Sequence, residues 1–436
     1  MVGIGEQIVL AGYGEMDPAN IVDYQKTGGY QALEKAVRSL KPEDILDEVK
    51  NSNLRGRGGA AFPTGIKWSF TAKAQADQKY IICNADEGEP GTYKDRYIME
   101  GVPHRLLEGM ALAGYAVGAC KGYIYVRGEY RKSIESLRKA VRQAEEQGVL
   151  GDKIFRSGFN FSVELREGAG AYICGEETAL IESIEGKRGE PRIKPPYPGV
   201  SGLWGKPTVV NNVETLANIP SIIAKGAAWF RGFGTENSVG TKLFTLLGHI
   251  KNKCVVEAPF GVSLQKLIVD IGGGVEGGKI KMIQIGGGSS PCITGSRLDI
   301  PLDYEHLGEI GTAVGSGAIF AVSDKACMVD MALNFAKFFR HESCGKCTPC
   351  RIGTAQIHGI LENIASFNGS MSALDLLDEL GGVMKAASFC GLGQTAAAPL
   401  MSLIKNFRPE FEMHIKEKKC PTGICNSAAQ KLFLAH

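Results

Sequence analysis

The sequence has no apolar run long enough to cross a membrane. Its longest weakly apolar stretch, residues 109–120, falls far short of the roughly 20 residues that a spanning helix needs. No secretion signal is predicted, because the N-terminus lacks a basic start, an apolar run and a small-residue cleavage pattern. Charge of one sign is not in excess either, since 49 Lys and Arg face 47 Asp and Glu. These absences predict no direct membrane span and no broad electrostatic attraction to nucleic acid.

Cysteine and glycine are present in surplus. A chain of 436 residues can bury large cores without covalent cross-links, so its 12 cysteines are not needed as disulfides. The missing signal predicts a cytoplasmic, reducing compartment, where clustered cysteines more often bind metal than pair. The 57 glycines occur partly in clusters, which is typical of backbone that approaches a ligand or of turns with positive φ.

The pattern of apolar residues divides the chain into regions. Residues 20–50 read as helix, with Pro42 at a helix start. From about 80 to 240, short β-rich runs alternate with helical patterns, which indicates an α/β layer. A small β-rich region with one helix follows, and helical patterns return where the cysteines concentrate. The predicted domains are residues 1–240, 241–324 and 325–408, with a Cys- and His-containing tail at 409–436.

A glycine-rich loop, Gly56 to Ala61, matches the G-x-G-x-x-A form of the dinucleotide fingerprint. That fingerprint requires a preceding strand, and the segment before this loop is helical, so a strict Rossmann interpretation fails on context. The glycines still allow backbone N–H groups to approach a phosphate or a ring system, and Lys67 can supply charge. The alternative, from this stretch alone, is a flexible loop without a ligand.

Carboxylates and amides follow several of the predicted strand ends. They are Asp86, Glu87 and Glu89, then Glu176 and Glu177 just after Gly175, and finally Asn211 and Asn212. Adjacent carboxylates are usually solvated surface, but beside glycine at strand ends they occupy the place where α/β proteins bind ligands. The asparagine side chains can donate and accept hydrogen bonds at a heteroaromatic edge.

Together these motifs resemble the flavoprotein subunit of respiratory complex I and its relatives, the beta subunits of soluble NAD(P)-linked, electron-bifurcating hydrogenases and formate dehydrogenases. The motifs are, in order, RGRGGAAFPTGIKW, NADEGEPGTYKDR, GAGAYICGEETAL, NNVET and ESCGKCTPCRIG. The resemblance covers nearly the whole chain. It implies an α/β FMN-binding, Rossmann-like domain, then a small β-grasp-like (SLBB) domain, then a C-terminal helical bundle with an iron-sulfur cluster. The chain departs from its relatives at Ala61, where Gly is usual, and at Tyr197, where Phe is commoner.

The resemblance also implies site residues. FMN would be held by Gly56, Arg57, Gly58, Lys67, Asn84, Asp86, Glu87, Tyr172, Gly175, Glu176, Val210, Asn211, Asn212 and Thr215. NAD(P)H would stack its nicotinamide on the flavin, with its adenine among Phe62, Phe70 and Tyr197. Its other contacts would be Lys194, Glu89 and Glu177, and the two glutamates are the expected catalytic residues. From the residues alone, without the family resemblance, Phe62 and Phe70 would be interpreted as aromatic residues of the core. The implied chemistry is hydride transfer to the flavin and one-electron release from it.

Three cysteines, Cys344, Cys347 and Cys350, form a CxxCxxC motif that lacks a fourth ligand. CxxCxxC followed by a distant cysteine is typical of a four-iron cluster, and the downstream candidates are Cys390, Cys420 and Cys425. Cys390 lies among glycine and small residues, and the family places the fourth ligand there, which predicts a [4Fe-4S] cluster. A structural Cys₄ zinc site is the alternative on spacing alone.

The segment EMHIKEKKCPTGIC places His414, Cys420 and Cys425 within twelve residues of a polar stretch. A histidine with thiolates suits tetrahedral zinc, and Cys327 is our choice of fourth ligand. The alternative is a vestige of a lost ferredoxin domain with free thiols. A similar cysteine-rich segment follows the helical domain in bifurcating hydrogenase relatives. The five other cysteines are predicted to be buried small hydrophobes: Cys83, Cys120, Cys174, Cys254 and Cys292.

Three functions remain open at this level. The first is an enzyme subunit that oxidises NAD(P)H or runs in reverse, either with flavin-based electron bifurcation or as a complex I type NADH-quinone oxidoreductase component without it. The second is an electron-transfer module without a nucleotide site, which the retained Lys194, Glu89 and Glu177 disfavour. The third is a zinc-stabilised interaction protein. Because the sequence shows neither the thioredoxin-like nor the ferredoxin domain of some relatives, separate partners are expected: a small thioredoxin-like [2Fe-2S] subunit and a larger iron-sulfur or catalytic subunit.

Overall fold

The computed structural model describes residues 2–18 and 20–426. These residues form two β-sheets and a C-terminal group of helices. Their strands are β1 (Val2–Gly3), β2 (Tyr80–Ala85), β3 (Lys121–Arg127), β4 (Ser162–Gly168), β5 (Thr208–Asn212), β6 (Thr241–Gly248), β7 (Val255–Pro259), β8 (Ile280–Ile285), β9 (Cys292–Thr294) and β10 (Ala318–Ser323).

The α-helices of the same residues are α1 (Ile21–Lys26), α2 (Gln31–Ser39), α3 (Pro42–Asn51), α4 (Thr64–Lys73), α5 (Lys94–Gly101), α6 (Pro103–Val117), α7 (Arg131–Glu146), α8 (Glu177–Ile184), α9 (Val213–Lys225), α10 (Ala227–Arg231), α11 (Tyr304–Glu309), α12 (Met328–Glu342), α13 (Thr348–Ala365), α14 (Ser372–Ala387), α15 (Gly391–Thr395) and α16 (Ala398–Glu412). Short 3₁₀ or π-helical turns lie at Ile154–Arg156, Tyr172–Gly175, Leu203–Gly205, Gln265–Ile271, Met413–Glu417 and Ile424–Asn426. None of the helices within the described ranges combines the length and apolar character that crossing a bilayer requires.

The first sheet is parallel, with strand order β4-β3-β2-β5. Ile81 and Cys83 of β2 belong to the core that contains α6 and α9, whereas Ile82 belongs to the core that contains α8 and the C-terminal helices. Burial on both faces is typical of parallel sheets and explains why β2 is apolar on both sides. The chain adds β3 and β4 on one side of β2 and β5 on the other, so the strand order reverses between β2 and β5.

The second sheet is mixed, with strand order β1-β7-β6-β10-β8-β9. Its first strand comes from the N-terminus and pairs in parallel with β7. The Glu257 carboxylate fixes this attachment by accepting the backbone N–H groups of Ile8, Val9 and Leu10, each at 2.9 Å. The N-terminal residues are therefore held by a strand that lies about 250 positions later in the chain.

The C-terminal helices pack around α12, which contacts α13 and α16. Buried residues such as Leu361, Leu377 and Leu403 share one core with the outer face of the first sheet. The final helix runs to Glu412, so the expected tail from residue 409 begins inside a helix.

The predicted α/β fold is confirmed. The expected helical segment at residues 20–50 consists of α1, α2 and α3, with Pro42 at the first position of α3. The glycine loop follows α3 and not a strand, as expected from the sequence.

Candidate functional site

A cavity of about 590 Å³ opens at the carboxyl ends of β2 and β5, where the strand order reverses. Open α/β sheets bind ligands at such a point because the connections diverge and leave a crevice. The predicted site residues that line it are Gly58, Asn84, Asp86, Glu87, Glu89, Tyr172, Gly175, Glu176 and Asn212. The others do not form its wall: Gly56, Arg57, Phe62, Lys67, Phe70, Glu177, Lys194, Tyr197, Val210, Asn211 and Thr215.

The glycine loop lies too close to the cavity floor for a side chain. A Cβ atom at Gly58 would lie 2.9 Å from the Cβ atom of Asn212, closer than carbon atoms pack. Gly59 has a φ of +135°, which glycine adopts readily and other residues rarely do. Ala61 has a φ of +54°, in the left-handed region. That conformation gives a physical reason for the glycine usual in relatives at this position.

Arg57 connects the glycine loop to backbone carbonyls at the start of the second sheet. Its buried guanidinium lies 4.7 Å from the centroid of the Phe260 ring and donates to the carbonyls of Val239, at 2.8 Å, and Thr241, at 3.2 Å. Its backbone N–H donates to the hydroxyl of Thr215 at 2.8 Å. The Arg57 side chain therefore fastens the loop to the second sheet.

Asp86 is the exceptional carboxylate of the cavity. Both of its oxygens are buried and have no hydrogen-bond partner among the described residues. Burial raises the pKa of Asp86 to about 7, although Arg127 opposes the shift. An acceptor in this position requires a donor from a ligand or from water, because an unpaired buried polar group is costly.

Most other predicted cofactor contacts already have protein partners. The Asn84 amide donates to the carbonyl of Gly175 at 2.8 Å, and the Asn211 oxygen accepts from the Trp68 indole at 2.7 Å. The Glu87 carboxylate accepts from the first backbone N–H groups of α5 and from a tyrosine hydroxyl. Burial raises the pKa of Glu87 to about 7. These bonds hold the cavity wall in shape without a ligand.

Lys67, Glu177, Lys194 and Glu176 form a chain of alternating charges beside the cavity. Lys67 Nζ lies 2.7 Å from Glu177, and Lys194 Nζ lies 3.1 Å from Glu177 and 2.7 Å from Glu176. Burial alone would raise the pKa of Glu177, but the two lysines lower it. This row of charged side chains places two ammonium groups beside the cavity, where the phosphates of a dinucleotide could be bound.

The predicted nucleotide aromatics are exposed. Phe62 is 49%, Phe70 57% and Tyr197 61% exposed. The interpretation of Phe62 and Phe70 as core residues, made without the family, is therefore wrong, because about half of each side chain is exposed to solvent. Exposed aromatic rings can stack on a planar ligand.

A buried network of charges under the cavity was missed from the sequence. Lys94 Nζ lies 2.6 Å from Asp95 and 3.0 Å from Glu214, and Lys242 of the second sheet lies 2.6 Å from Glu214. The Asn212 amide joins the network by accepting from Lys94 at 3.1 Å and donating to Asp95 at 2.6 Å. Burial lowers the pKa of Lys242 to about 7.

Part of this network had a signal in the sequence. Lys94 and Asp95 follow a glycine turn after a strand, inside the motif NADEGEPGTYKDR. Glu214 also lies inside a motif, NNVET, but its pairing with Lys242 had no signal, since their separate segments meet only when the two sheets pack together.

The far wall of the cavity was also missed. It is formed by two glycine- and hydroxyl-rich loops of the second sheet, residues 286–291 and 311–316. The Thr92 hydroxyl lies 2.6 Å from that of Ser316, so one loop is bonded directly to the segment after β2. The sequence had shown only that these loops contain many glycines.

The four cysteines of the predicted cluster surround a second, smaller cavity. Cys347 precedes α13, Cys350 lies in its first turn, and Cys390 precedes α15. Burial raises the pKa of Cys390, whereas the backbone N–H groups of Gly393 and Leu392 lower it. Helix N-termini favour negative charge, which suits thiolate ligands of a cluster. A Cβ atom at Gly393 would lie 2.9 Å from that of Cys350, so this glycine permits the close approach.

The residues of the second predicted metal site also meet. One ligand atom each of Cys327, His414, Cys420 and Cys425 lies within 4.8 Å of the others. His414 Nε2 is 3.6 Å from the sulfur of Cys327 and 3.4 Å from that of Cys425, and these two sulfurs are 3.7 Å apart. His414 Nδ1 lies 2.7 Å from the carbonyl of Glu410, which orients the ring. The hydrogen bond from Cys425, with that from His414, lowers the pKa of Cys327 to about 4.

Among the remaining cysteines, Cys83, Cys174 and Cys292 are buried as predicted. The prediction is wrong for Cys120, which is exposed and donates to the Gln78 side chain at 3.2 Å. Cys254 is only partly buried. Cys120 lies in the turn before β3, where the apolar run of α6 has already ended.

Comparison with known proteins fits this geometry. The family model for the Nuo51 FMN-binding domain matches residues 49–221, and the model for the NADH-ubiquinone oxidoreductase-F iron-sulfur binding region matches residues 330–414. The NADP-reducing hydrogenase component HndC of Solidesulfovibrio fructosivorans is 49% identical over 97% of this chain and 86% of its own length. The chain belongs to this family of flavoprotein subunits.

Another member and a solved structure extend the comparison. An NADH-quinone oxidoreductase component of Rhizobium meliloti is 48% identical over 95% of this chain and 99% of its own length. A crystal structure of NAD⁺-reducing [NiFe]-hydrogenase in the H₂-reduced state superposes with a TM-score of 0.83 and 35% identity, covering 99% of this chain and 71% of that chain. The chain is thus a component of an oxidoreductase, with an FMN domain and a [4Fe-4S] region.

Proposed function

We propose that this flavoprotein binds FMN in the cavity between the sheets and NAD(P)H at its mouth, and that it exchanges single electrons through Cys344, Cys347, Cys350 and Cys390. When bound, FMN accepts a hydride and gives up its electrons one at a time. The protein supplies the positions of the groups and the exclusion of water. It needs no nucleophile of its own.

The cavity walls suit a flavin. Asp86 offers a buried acceptor without a protein donor, and the flavin ring carries an imide N–H that would satisfy it. Gly58 leaves room for a flat ring against the loop, and the backbone N–H groups of the loop can face a phosphate. We assign the other predicted FMN contacts either to the wall of the cavity or to the residues directly behind that wall.

The nucleotide is assigned to the exposed side of the cavity. Lys67 and Lys194 would exchange part of their pairing with Glu177 for the phosphates of the dinucleotide. Phe62, Phe70 and Tyr197 offer exposed rings on which adenine could stack. Glu89, which lines the cavity, would contact the dinucleotide close to the flavin.

The observation that carries the proposal is that the two cavities share a wall. Ile173 and Leu392 line both the large cavity and the cysteine cavity. Cys390 precedes Gly391, which itself faces the large cavity. A single layer of residues therefore separates the flavin position from the cluster position, which suits direct electron transfer between them.

We also propose the domain boundaries at residues 1–240, 241–324, 325–408 and 409–436, with a β-grasp-like (SLBB) second domain and a Rossmann-like first one. Strands β2–β5 and β6–β10 fall within the first two ranges. Residues 2–10 attach to the second sheet and would move with it. The proposed partners are a small thioredoxin-like [2Fe-2S] subunit and a larger iron-sulfur or catalytic subunit.

The composition of the purified chain tests the function. We expect about one FMN and about four iron atoms per chain, as a single [4Fe-4S] cluster requires. If the chain binds FMN and iron but neither NADH nor NADPH reduces the flavin, it is an electron-transfer module that has lost its nucleotide site. Zinc without flavin and iron would indicate an interaction protein.

Two assemblies would use this chain in the same way. One is a bifurcating hydrogenase-type complex, and the other is a complex I type assembly without bifurcation. Coupled reduction of a low-potential and a high-potential acceptor by NAD(P)H in the complete complex would identify the first. Reduction of one acceptor alone would identify the second.

We further propose that Cys327, His414, Cys420 and Cys425 bind zinc. Tetrahedral zinc with Zn–S bonds of about 2.3 Å places its sulfur ligands about 3.8 Å apart. The ligand atoms of Cys327, His414 and Cys425 are separated by 3.4 to 3.7 Å, and all four ligand atoms, with that of Cys420, lie within 4.8 Å of one another. Cys327 precedes α12, whose other end leads to Cys344. Zinc here would fasten the C-terminal segment to the helix that carries the cluster loop.

Replacing one ligand should remove this metal alone. Cys425→Ser is expected to lose most of about one zinc per chain and to keep its FMN and iron, because zinc needs all four ligands for a closed site. Elemental analysis after purification without chelators measures both metals. Cys254→Ser, which removes a partly buried thiol outside the cluster, is the matched control. Zinc-free wild-type protein, or equal zinc in the two variants, would contradict the site.

A further inference from the structure

The loop Gly286–Pro291 of the second sheet reaches across the cavity to Glu89. The Glu89 Oε1 atom accepts both the backbone N–H and the hydroxyl of Ser289, each at 2.9 Å. Its Oε2 atom accepts the Tyr172 hydroxyl, also at 2.9 Å. The carboxylate is therefore held from two sides, and two of its three bonds come from one serine.

The loop is built for this close approach. Gly287 has a φ of +111°, and a Cβ atom there would lie 2.5 Å from the Glu89 Cγ atom. A larger residue at this position would push Ser289 away from the carboxylate. Ser289 and Ser290 both line the cavity, but only Ser289 bonds to Glu89 in the described structure.

We propose that Ser289 is a positioning residue of the nucleotide site, which fixes the orientation of the Glu89 carboxylate at the cavity wall and so limits the affinity for the dinucleotide. The proposal rests on the function proposed above, in which Glu89 contacts the dinucleotide. It adds the second sheet to the nucleotide site. The packing of the second sheet against the first therefore closes the cavity and also fixes the orientation of one wall carboxylate.

The electrostatic surroundings define what this serine does. Loop 286–291 contains no titratable group, and Tyr172 is the titratable group bonded to Glu89. Tyr172 is bonded in turn to Glu342 through its backbone N–H. The other charged groups on the cavity wall are Asp86, Glu87, Lys94, Asp95 and Glu176. Burial raises the pKa of Glu89, and the bonds from Ser289 and then Tyr172 lower it again.

Ionised Glu89 repels the negatively charged phosphates of a dinucleotide, so affinity should fall as pH rises through its pKa. Ser289→Ala removes one bond to the ionised carboxylate and so raises that pKa. The midpoint of the affinity change should therefore move to higher pH. A merely structural role for Ser289 would lower affinity evenly at all pH values and leave the midpoint in place.

The test measures NAD⁺ affinity of the FMN-loaded chain by flavin fluorescence between pH 4.5 and 8.5. Ser289→Ala is expected to shift the midpoint upward, whereas Ser290→Ala and Ser289→Thr, which keeps the hydroxyl, retain the wild-type midpoint. Glu89→Gln is expected to remove the Glu89 step from the pH profile and to leave any step due to Asp86 and Glu87, which also line the cavity. Adding Ser289→Ala to Glu89→Gln should then cause no further shift.

Two results would overturn the proposal. An unchanged midpoint in Ser289→Ala, or an equal shift in Ser290→Ala, would show that Ser289 does not control the carboxylate. A Glu89→Gln chain with wild-type affinity at every pH would show that Glu89 does not contact the dinucleotide. That second result would also remove Glu89 from the proposed nucleotide site. The FMN and iron content of the chain would still test the rest of the proposed function separately.

Discussion

The Gly58→Val chain is expected to purify without FMN. A Cβ atom at residue 58 would lie 2.9 Å from Asn212 Cβ and 3.3 Å from its Cγ, and valine adds two more methyl groups in the same space. Forcing extra carbon atoms into a packed site costs about 1–3 kcal/mol, and this cost in the FMN-bound state weakens binding about fivefold to about 150-fold. We expect a larger loss, because Asn212 also caps α9 and joins the buried charges of Lys94 and Asp95.

Flavin content measured by absorbance and fluorescence checks this result. Gly158→Val serves as the control, since a Cβ atom at that glycine has no neighbour within 4 Å. Circular dichroism and melting temperature establish that both variants fold. A folded Gly58→Val chain with stoichiometric FMN would show that the glycine loop does not face the flavin.

The Cys390→Ala chain is expected to separate hydride chemistry from onward electron transfer. Cys390 is the proposed cluster ligand next to the wall that the two cavities share, so its loss should remove the one-electron path while leaving the residues of the large cavity in place. NAD(P)H should still reduce the flavin at close to the wild-type rate. Delivery to the cluster of a partner protein should fall by more than about tenfold, since a four-iron cluster needs its four cysteines.

Stopped-flow absorbance at the flavin band and electron paramagnetic resonance of the cluster measure the two steps separately. Cys120→Ser, which alters an exposed thiol, is the matched control. An equal loss of flavin reduction in folded Cys390→Ala protein would mean that the proposed order of the steps is wrong.

Much of the fold could be predicted because local patterns suffice for it. The runs that became β2, β3 and β4 are short and rich in β-branched and aromatic residues, and Pro42 marks the start of α3. The pairing of β1 with β7 could not be predicted in this way. It joins residues 2–3 to a strand about 250 positions away, and a two-residue strand has no periodicity to read.

The candidate site was predicted where motifs placed several functional residues together. Asp86 and Glu87 follow β2 directly, and their position at a strand end sufficed to indicate a ligand site. The salt bridge between Lys242 and Glu214 was not predictable, because Lys242 lies outside the recognised motifs and meets the NNVET segment only when the two sheets pack together. The exposure of Phe62 and Phe70 did not follow from the residues alone, since large aromatic side chains are usually well buried, and only the resemblance had implied a nucleotide contact for them.

The central claim is that hydride chemistry and one-electron release occur in adjacent cavities of this chain. Anaerobic addition of NADH or NADPH to the purified, FMN- and iron-loaded chain tests it most directly, with flavin absorbance and cluster resonance followed together. The account predicts rapid loss of oxidised-flavin absorbance, followed by the signal of a reduced [4Fe-4S] cluster. A flavin that stays oxidised with both nucleotides in fully loaded protein would contradict this expectation. Equal reduction of the cluster in the Gly58→Val chain, which lacks FMN, would contradict it as well.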